Sequence, residues 1–232
     1  TFQEKGAKVS PVIYLRSDLW DDLAFSDKNK ITQGGALKME WGADSLKQVI
    51  NARLANAFGE GAAWEGVIDD QLMRGSQQKW SHIVSRTLKR PRDVINFLNA
   101  ALGVAKQRKG NPLVFINKDI VDAREAYSPY LKKELDDEVL PHWPCWDEAL
   151  QTCSAIATET FERRQFEEEY EKRRSSQNDV DASEALRLLH RFSVIGYETR
   201  SGYGGRGWAF QYEDPDFGWD SHSSRFKVHP GL

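Results

Sequence analysis

The stretch Lys89-Arg90-Pro91-Arg92-Asp93-Val94-Ile95-Asn96-Phe97-Leu98-Asn99-Ala100-Ala101-Leu102 constrains this chain more than any other. Pro91 suits the first turn of a helix, where its missing N–H is not needed and its fixed φ is already helical. Val94, Ile95, Leu98, Ala101, Leu102 and Ala105 recur at helical spacing and predict one apolar face. Arg90 and Arg92 stand at the mouth of that helix, where free N–H groups and a partial positive charge already favour an anion. Two arginines there make a seat for phosphate or carboxylate. The plainer reading is a well-started structural helix with solvated arginines.

The same periodicity runs on both sides, so residues from about 66 to 175 read as helical. Gln77 to Leu88 turns Trp80, Ile83, Val84 and Leu88 inward. Gly110-Asn111-Pro112 breaks the pattern, and Asn117 is expected to cap the next helix. Ser128-Pro129 is expected to restart it with Ser128 as cap, Leu131, Leu135, Val139 and Leu140 forming the apolar side. Trp143 to Ile156 gives another helix. Phe161 to Arg174 gives a charged one with Phe166 and Tyr170 inside.

The two ends read differently. Val12-Ile13-Tyr14-Leu15, following Pro11, is a short apolar run consistent with a buried strand, ending at Arg16. Ser17 or Asp18 can cap the short helix after it, and Phe25 to Lys30 reads as a polar loop. Leu37, Met39 and Trp41 alternate with Lys38 and Glu40 as a second strand, and Asp44 caps a helix carrying Leu46, Val49, Ile50 and Leu54. Two such strands cannot make a stable sheet alone. Together with a first residue that is Thr1, they suggest a piece of a longer chain. At the other end Asp181 caps a helix with Leu186, Leu189 and Phe192 inside and His190 nearer the polar side. A glycine-rich connection, Gly202 to Gly207, leads to strands at Trp208–Tyr212 and Arg225–His229. Helices, then a glycine-rich loop and strands, is the order of a winged helix-turn-helix.

Composition narrows the chemistry. A net charge of −3 argues against a general polyanion binder, although basic residues can cluster locally. Arg187, Arg191, Arg200 and Arg206 lie in the winged-helix region and are the candidate nucleic-acid contacts. Arg163, Arg164, Lys172, Arg173 and Arg174 are interleaved with glutamates, which favours a salt-bridged surface. Cys145 and Cys153 read as ordinary thiols of a reducing compartment, and with His142 they fall short of a second metal-ligand pair. No histidine pairs with a nucleophile in a recognisable triad. Asp69, Asp70 and Asp136-Asp137-Glu138 read as solvated faces or helix ends. There is no membrane-length apolar run, so a cytoplasmic chain without membrane contact is expected.

Taken together, these segments resemble the C-terminal part of bacterial P-loop ATPases of the STAND branch, near the AAA+ class. Val12 to Asp18 resembles the core strand that ends in the first sensor arginine, which the resemblance places at Arg16. Leu37 to Trp41 resembles the last core strand. Arg90-Pro91-Arg92 resembles the lid motif whose proline lies near adenine, making Arg92 the second sensor arginine. The Leu-Arg-Ser-Asp, Arg-Pro-Arg-Asp and Val-His-Pro stretches are similar to those of a group with members in phage-defence systems. Two departures count. Arg90 stands where the usual lid motif has glycine, and the chain has neither a phosphate loop nor a strand ending in paired acids.

The expected fold is therefore mainly α. It has an α/β remnant over 1–57, a helical lid over 58–144 and a winged-helix domain over 145–232. The resemblance implies nucleotide sensing by Arg16, Arg90, Pro91 and Arg92, with Arg16 and Arg92 facing one cleft. ATP and Mg belong to the full-length parent only, and no catalytic residue or metal ligand is expected here. The expected partners are the N-terminal ATPase half and a protein effector, with DNA possible. The expected function is coupling of nucleotide state to a winged-helix protein-contact domain. The alternative is a DNA-binding winged-helix protein with a helical dimerisation region.

Overall fold

The computed structural model describes residues 12–108, 114–200, 205–214 and 218–232. Pro11, Gly110-Asn111-Pro112, the Gly202-Tyr203-Gly204 part of the glycine-rich connection and Phe217 lie outside the described residues, as do the side chains of Ser17 and Asp18. The chain divides into an N-terminal unit ending at Glu40 and a main unit from Trp41 to Leu232. It is mainly α, with one small antiparallel sheet.

The N-terminal unit contains two short helices, α1 (Ser17–Asp22) and α2 (Lys28–Gly34). The expected polar loop is therefore partly helical. The segments expected as strands do not form them. Val12, Ile13 and Tyr14 are 73%, 84% and 79% exposed, and Leu37 is 89% exposed. An extended segment becomes a strand only when a neighbour takes up its N–H and C=O groups, and none pairs here among the described residues.

The helical part of the main unit comprises α3 (Ala43–Phe58), a 3₁₀ turn (Trp64–Val67), α4 (Lys79–Val84), α5 (Pro91–Gln107) and α6 (Asn117–Val139). Trp64 and Trp80 pin it together: their rings lie 5.4 Å apart, the Trp64 N–H donates to Asn51, and the Trp80 indole donates to the Ala43 carbonyl. On α5 the buried face is Val94, Phe97, Ala101 and Ala105. Ile95 and Leu98 are half-buried and Leu102 is exposed. These three line a shallow groove with Leu54 of α3. The apolar spacing thus serves two neighbours rather than one.

Helix α6 does not restart at Ser128. It runs through Pro129, whose ring removes one backbone bond to the Glu125 carbonyl. Glu125 and Pro129 are both exposed, so water can take that carbonyl, while Tyr127, Leu131, Leu135 and Val139 keep the helix buried on its other side. The cap also moves: Asp119 accepts the Ile116 N–H at 3.0 Å, and Asn117 donates instead to the Leu72 carbonyl.

The rest is α7 (Trp146–Ile156), β1 (Thr160–Glu162), α8 (Arg163–Arg173), α9 (Ala182–Arg191), β2 (Ile195–Arg200), β3 (Arg206–Ala209) and β4 (Arg225–Val228). The sheet order is β1-β4-β2-β3, all antiparallel, with Phe161 opposite Phe226 and Tyr197 opposite both Phe226 and Ala209. This is the winged helix-turn-helix arrangement, with β2 and β3 as the wing hairpin. Strands β1 and β2 are absent from the sequence reading: β1 has three residues and β2 follows α9 almost without a break. Asp181 caps α9 as expected, accepting the Glu184 N–H at 2.8 Å. His190 is a correction. It is 1% exposed, between Tyr197 and Trp219, because sheet and loop cover the side of α9 that its helical position left open.

Candidate functional site

The head of α5 is built by the turn before it. Lys89 takes a left-handed φ of 51°, which swings the chain so that Arg90 becomes the cap and Pro91 the first helical residue. Asp93 is completely buried. It accepts the Leu88 N–H at 3.3 Å and the Tyr130 hydroxyl at 3.1 Å. Burial pushes its carboxyl above the ordinary range despite the pull of Arg90. The Tyr130 phenol is pushed up to about 12, first by burial and then by the Asp93 charge.

Helix α6 receives both arginines. Arg90 forms a bidentate pair with Glu138, at 2.5 and 2.9 Å, and Arg92 pairs with Glu134. Burial works against the Arg90 charge, but the Glu138 hydrogen bonds and charge outweigh it and hold the guanidinium above its usual range. The two pairs differ in access: the Arg92 side chain is 60% exposed, that of Arg90 35%. An anion can reach Arg92 by turning it from Glu134. Taking Arg90 would strand Glu138, whose side chain is only 14% exposed. Both arginines are thus paired rather than free in solvent, and Glu138, expected on a solvated face or helix end, anchors Arg90. The four-residue spacing of Glu134 and Glu138 places both on one side of α6, and that was legible.

The same turn touches the winged-helix part. Lys89 pairs with Glu213 at 3.3 Å and lies 5.5 Å over the Tyr212 ring. Two residues earlier, Thr87 meets the buried His229 through its backbone. Gly231 packs so closely on the Arg86 carbonyl that a Cβ there would sit 2.2 Å from it. One short segment, Arg86 to Arg92, therefore contacts α6 and the loops that follow β3 and β4.

Among the candidate nucleic-acid residues, Arg187 and Arg206 are paired with acids and Arg191 lies on a ring. Six of the ten residues of α9 are buried. Arg187 is held by Glu184 at 2.5 and 2.6 Å, and Arg191 lies over the Phe192 ring. Arg200 and Arg206 face each other across the wing, where Glu198 pairs with Arg206 and also with Arg225. Arg16 belongs to the N-terminal unit, where it is exposed and caps α1. Cys153 is buried and its thiol is pushed up to about 12 by that burial, so it is no nucleophile. No described group of histidines, cysteines and acids could hold a metal, and no described helix is long and apolar enough to cross a membrane.

A family model described as the FunZ-associated C-terminal helical domain matches residues 44–136. That span runs from the start of α3 almost to the end of α6. It includes Arg90, Pro91, Arg92 and Glu134 and stops just short of Glu138. The match covers less than half of the chain and none of the winged-helix part. No curated protein and no solved structure matches the chain.

Proposed function

We propose that this chain is the regulatory part of a P-loop switch ATPase, passing nucleotide state to a winged-helix domain that acts through protein contacts. The observation that carries it is the Arg86–Arg92 segment. It bears the two lid arginines at one end and touches His229, Gly231 and Glu213 through the rest. A change at Arg92 thus has a physical route to the winged helix. Because the chain lacks a phosphate loop, ATP and Mg would be held by upstream sequence, and this chain would contribute Arg92 and Arg16 as sensors. Arg90 is assigned a positioning role, since Glu138 already holds it. The helical-domain match supports placement near the C-terminal end of a larger protein, and the resemblance to phage-defence ATPases suggests that setting.

The protein-contact reading is preferred to DNA binding because Arg187 of α9 is paired with Glu184 and Arg206 of the wing with Glu198. Phosphate contacts supply most non-specific DNA affinity, and paired arginines supply little of it. Hydrogen exchange on the chain joined to its ATPase half tests the proposal. Mg-ATP is expected to change protection at residues 86–92 and 205–214, and Arg92→Ala to remove the change. No change with bound Mg-ATP would overturn it, as would micromolar Mg-ATP binding with hydrolysis by the isolated chain. Sub-micromolar DNA binding at moderate salt, lost in Arg187→Glu plus Arg191→Glu, would favour the DNA-binding alternative.

A further inference from the structure

The apolar stripe of α5 is wider than the core beneath it. Val94, Phe97, Ala101 and Ala105 are buried, while Ile95 and Leu98 are half-buried and Leu102 is exposed. The second set lines a groove of about 750 Å³ against α3, which contributes Val49, Leu54 and Ala57 to the facing wall. Ile50 and Trp64, both buried, close the space below, with Val67 and Phe115 beside them. The groove is preformed. The Trp64 and Phe115 rings lie 6.2 Å apart, and the Phe115 N–H donates to the Val67 carbonyl at 2.7 Å. Arg53 is the one charged residue of this lining among the described residues, and Lys106 stands one turn beyond Leu102 on the same side of α5. Both are exposed, and no carboxylate pairs with either among the described residues.

We propose that this groove receives an amphipathic helix of a partner protein, with an apolar stripe at i, i+3 or i+4 and i+7 and an acidic residue beside the stripe. The length fits. Val49 to Ala57 and Ile95 to Leu102 make walls about 12 and 10 Å long at 1.5 Å per residue, which is the span from i to i+7 of a helix. The walls select a helix over an extended segment. The N–H and C=O groups in the middle of α3 and α5 are bonded within their own helices, so a strand laid between them would bury its backbone unpaired. A helix arrives with those bonds made and adds a third helix to the pair. The charge selects the flank. Arg53 and Lys106 leave the rim basic with no acid in the lining, so a glutamate or aspartate of the incoming helix meets a free cation. The same charge disfavours a second copy, because a two-fold contact would set this basic rim against itself. The surface is separate from the winged-helix contacts proposed above and does not depend on them.

Selection against the full chain from a displayed library of amphipathic helices, each about 16 residues long, tests this. The positions flanking the apolar stripe are varied among Glu, Lys and Gln. Binders are expected to share the stripe and a glutamate flank, and to bind as free peptides with dissociation constants of roughly 10–100 μM by calorimetry. Leu102 is exposed, so Leu102→Glu should fold, which circular dichroism checks; it is expected to weaken binding about tenfold or more. Leu140→Glu, at an exposed apolar residue that does not line the groove, should leave binding unchanged. Arg53→Glu is expected to switch the selected flank from glutamate to lysine, which a merely structural role of Arg53 would not do. No binder sensitive to Leu102→Glu, an unchanged flank preference in Arg53→Glu, or loss of binding in Leu140→Glu would each overturn the proposal. So would a concentration-dependent dimer of the chain that Leu102→Glu dissolves, since a second copy would then be the occupant.

Discussion

Arg86 and Arg90 are four residues apart and occupy opposite electrostatic surroundings. Arg90 has a bidentate glutamate, and its charge is held above the usual range. Arg86 donates to the His82 carbonyl and has no acid for a partner among the described residues, and burial first and then the Arg124 charge press its guanidinium down. Both are partly buried, so the difference is not one of solvent. It lies in what α6 offers each of them: Glu134 and Glu138 near one end, Arg124 nearer the other. One arginine holds the fold together, and the other is held in place by the fold at some cost.

The sharpest way to break the comparison is to remove the support under Arg86. Gly231→Ala would place a Cβ 2.2 Å from the Arg86 carbonyl and 2.8 Å from a Leu131 methyl. Backbone on one side and core on the other leave it nowhere to go, so a loss of about 3 kcal/mol is expected by chemical denaturation. Unchanged stability would mean that the C-terminal turn is not docked on the helical part.

Glu138→Ala comes next. It strands Arg90, and a stranded buried charge costs about 3–5 kcal/mol. Because about a third of the Arg90 side chain stays in water, a loss of roughly 2 kcal/mol is expected. Restoring most of it with Arg90→Met in the same chain would show that the loss came from the unpaired charge and not from the helix.

What the sequence disclosed divides along the same line. Pro91 at the start of α5 and the Asp181 cap are local signals, and each is where it was expected. The pairs Arg90–Glu138 and Lys89–Glu213 join residues far apart in the chain, and nothing in either segment names its partner. Strand β1 is legible only through its pairing with Arg225–Lys227, since three residues carry no period of their own. The two N-terminal apolar runs fail for the converse reason: they have the composition of strands without a neighbour to make them so. The uncompensated pair at Arg86 and Arg124 could not be read at all, because a missing acid shows only in three dimensions.

Acid sharpens the comparison by about 1.4 kcal/mol per pH unit. His82 has a folded value of about 4 against an ordinary 6.5, set by burial and then by Arg86 and Arg124. The unfolded chain therefore takes up its proton first as pH falls. The stability that neutral His82 contributes is complete above about 6.5, drains away between 6.5 and 4, and falls no further below that. His190, at about 4, and His229, at about 3, add similar losses. His82→Gln should flatten the fall of stability between pH 6.5 and 4.5. Equal slopes in wild type and His82→Gln would mean that the histidine is not held neutral.

The smallest effect separates the two arginines most directly. Arg124→Ala removes an exposed side chain with no acidic partner, and with it the like charge beside Arg86 and His82. Ordinary loss of an arginine from a salt-bridged helix surface costs a few tenths of a kcal/mol. Here the sign should reverse. Stability is expected to rise by about 0.5 kcal/mol, more at low salt than at high, because the relieved repulsion is screened by ions. The His82 titration, followed by its ring protons in NMR, should move up toward its ordinary value. If Arg124→Ala is destabilising and His82 titrates unchanged, the two arginines do not share a field. The turn after α4 would then be ordinary surface.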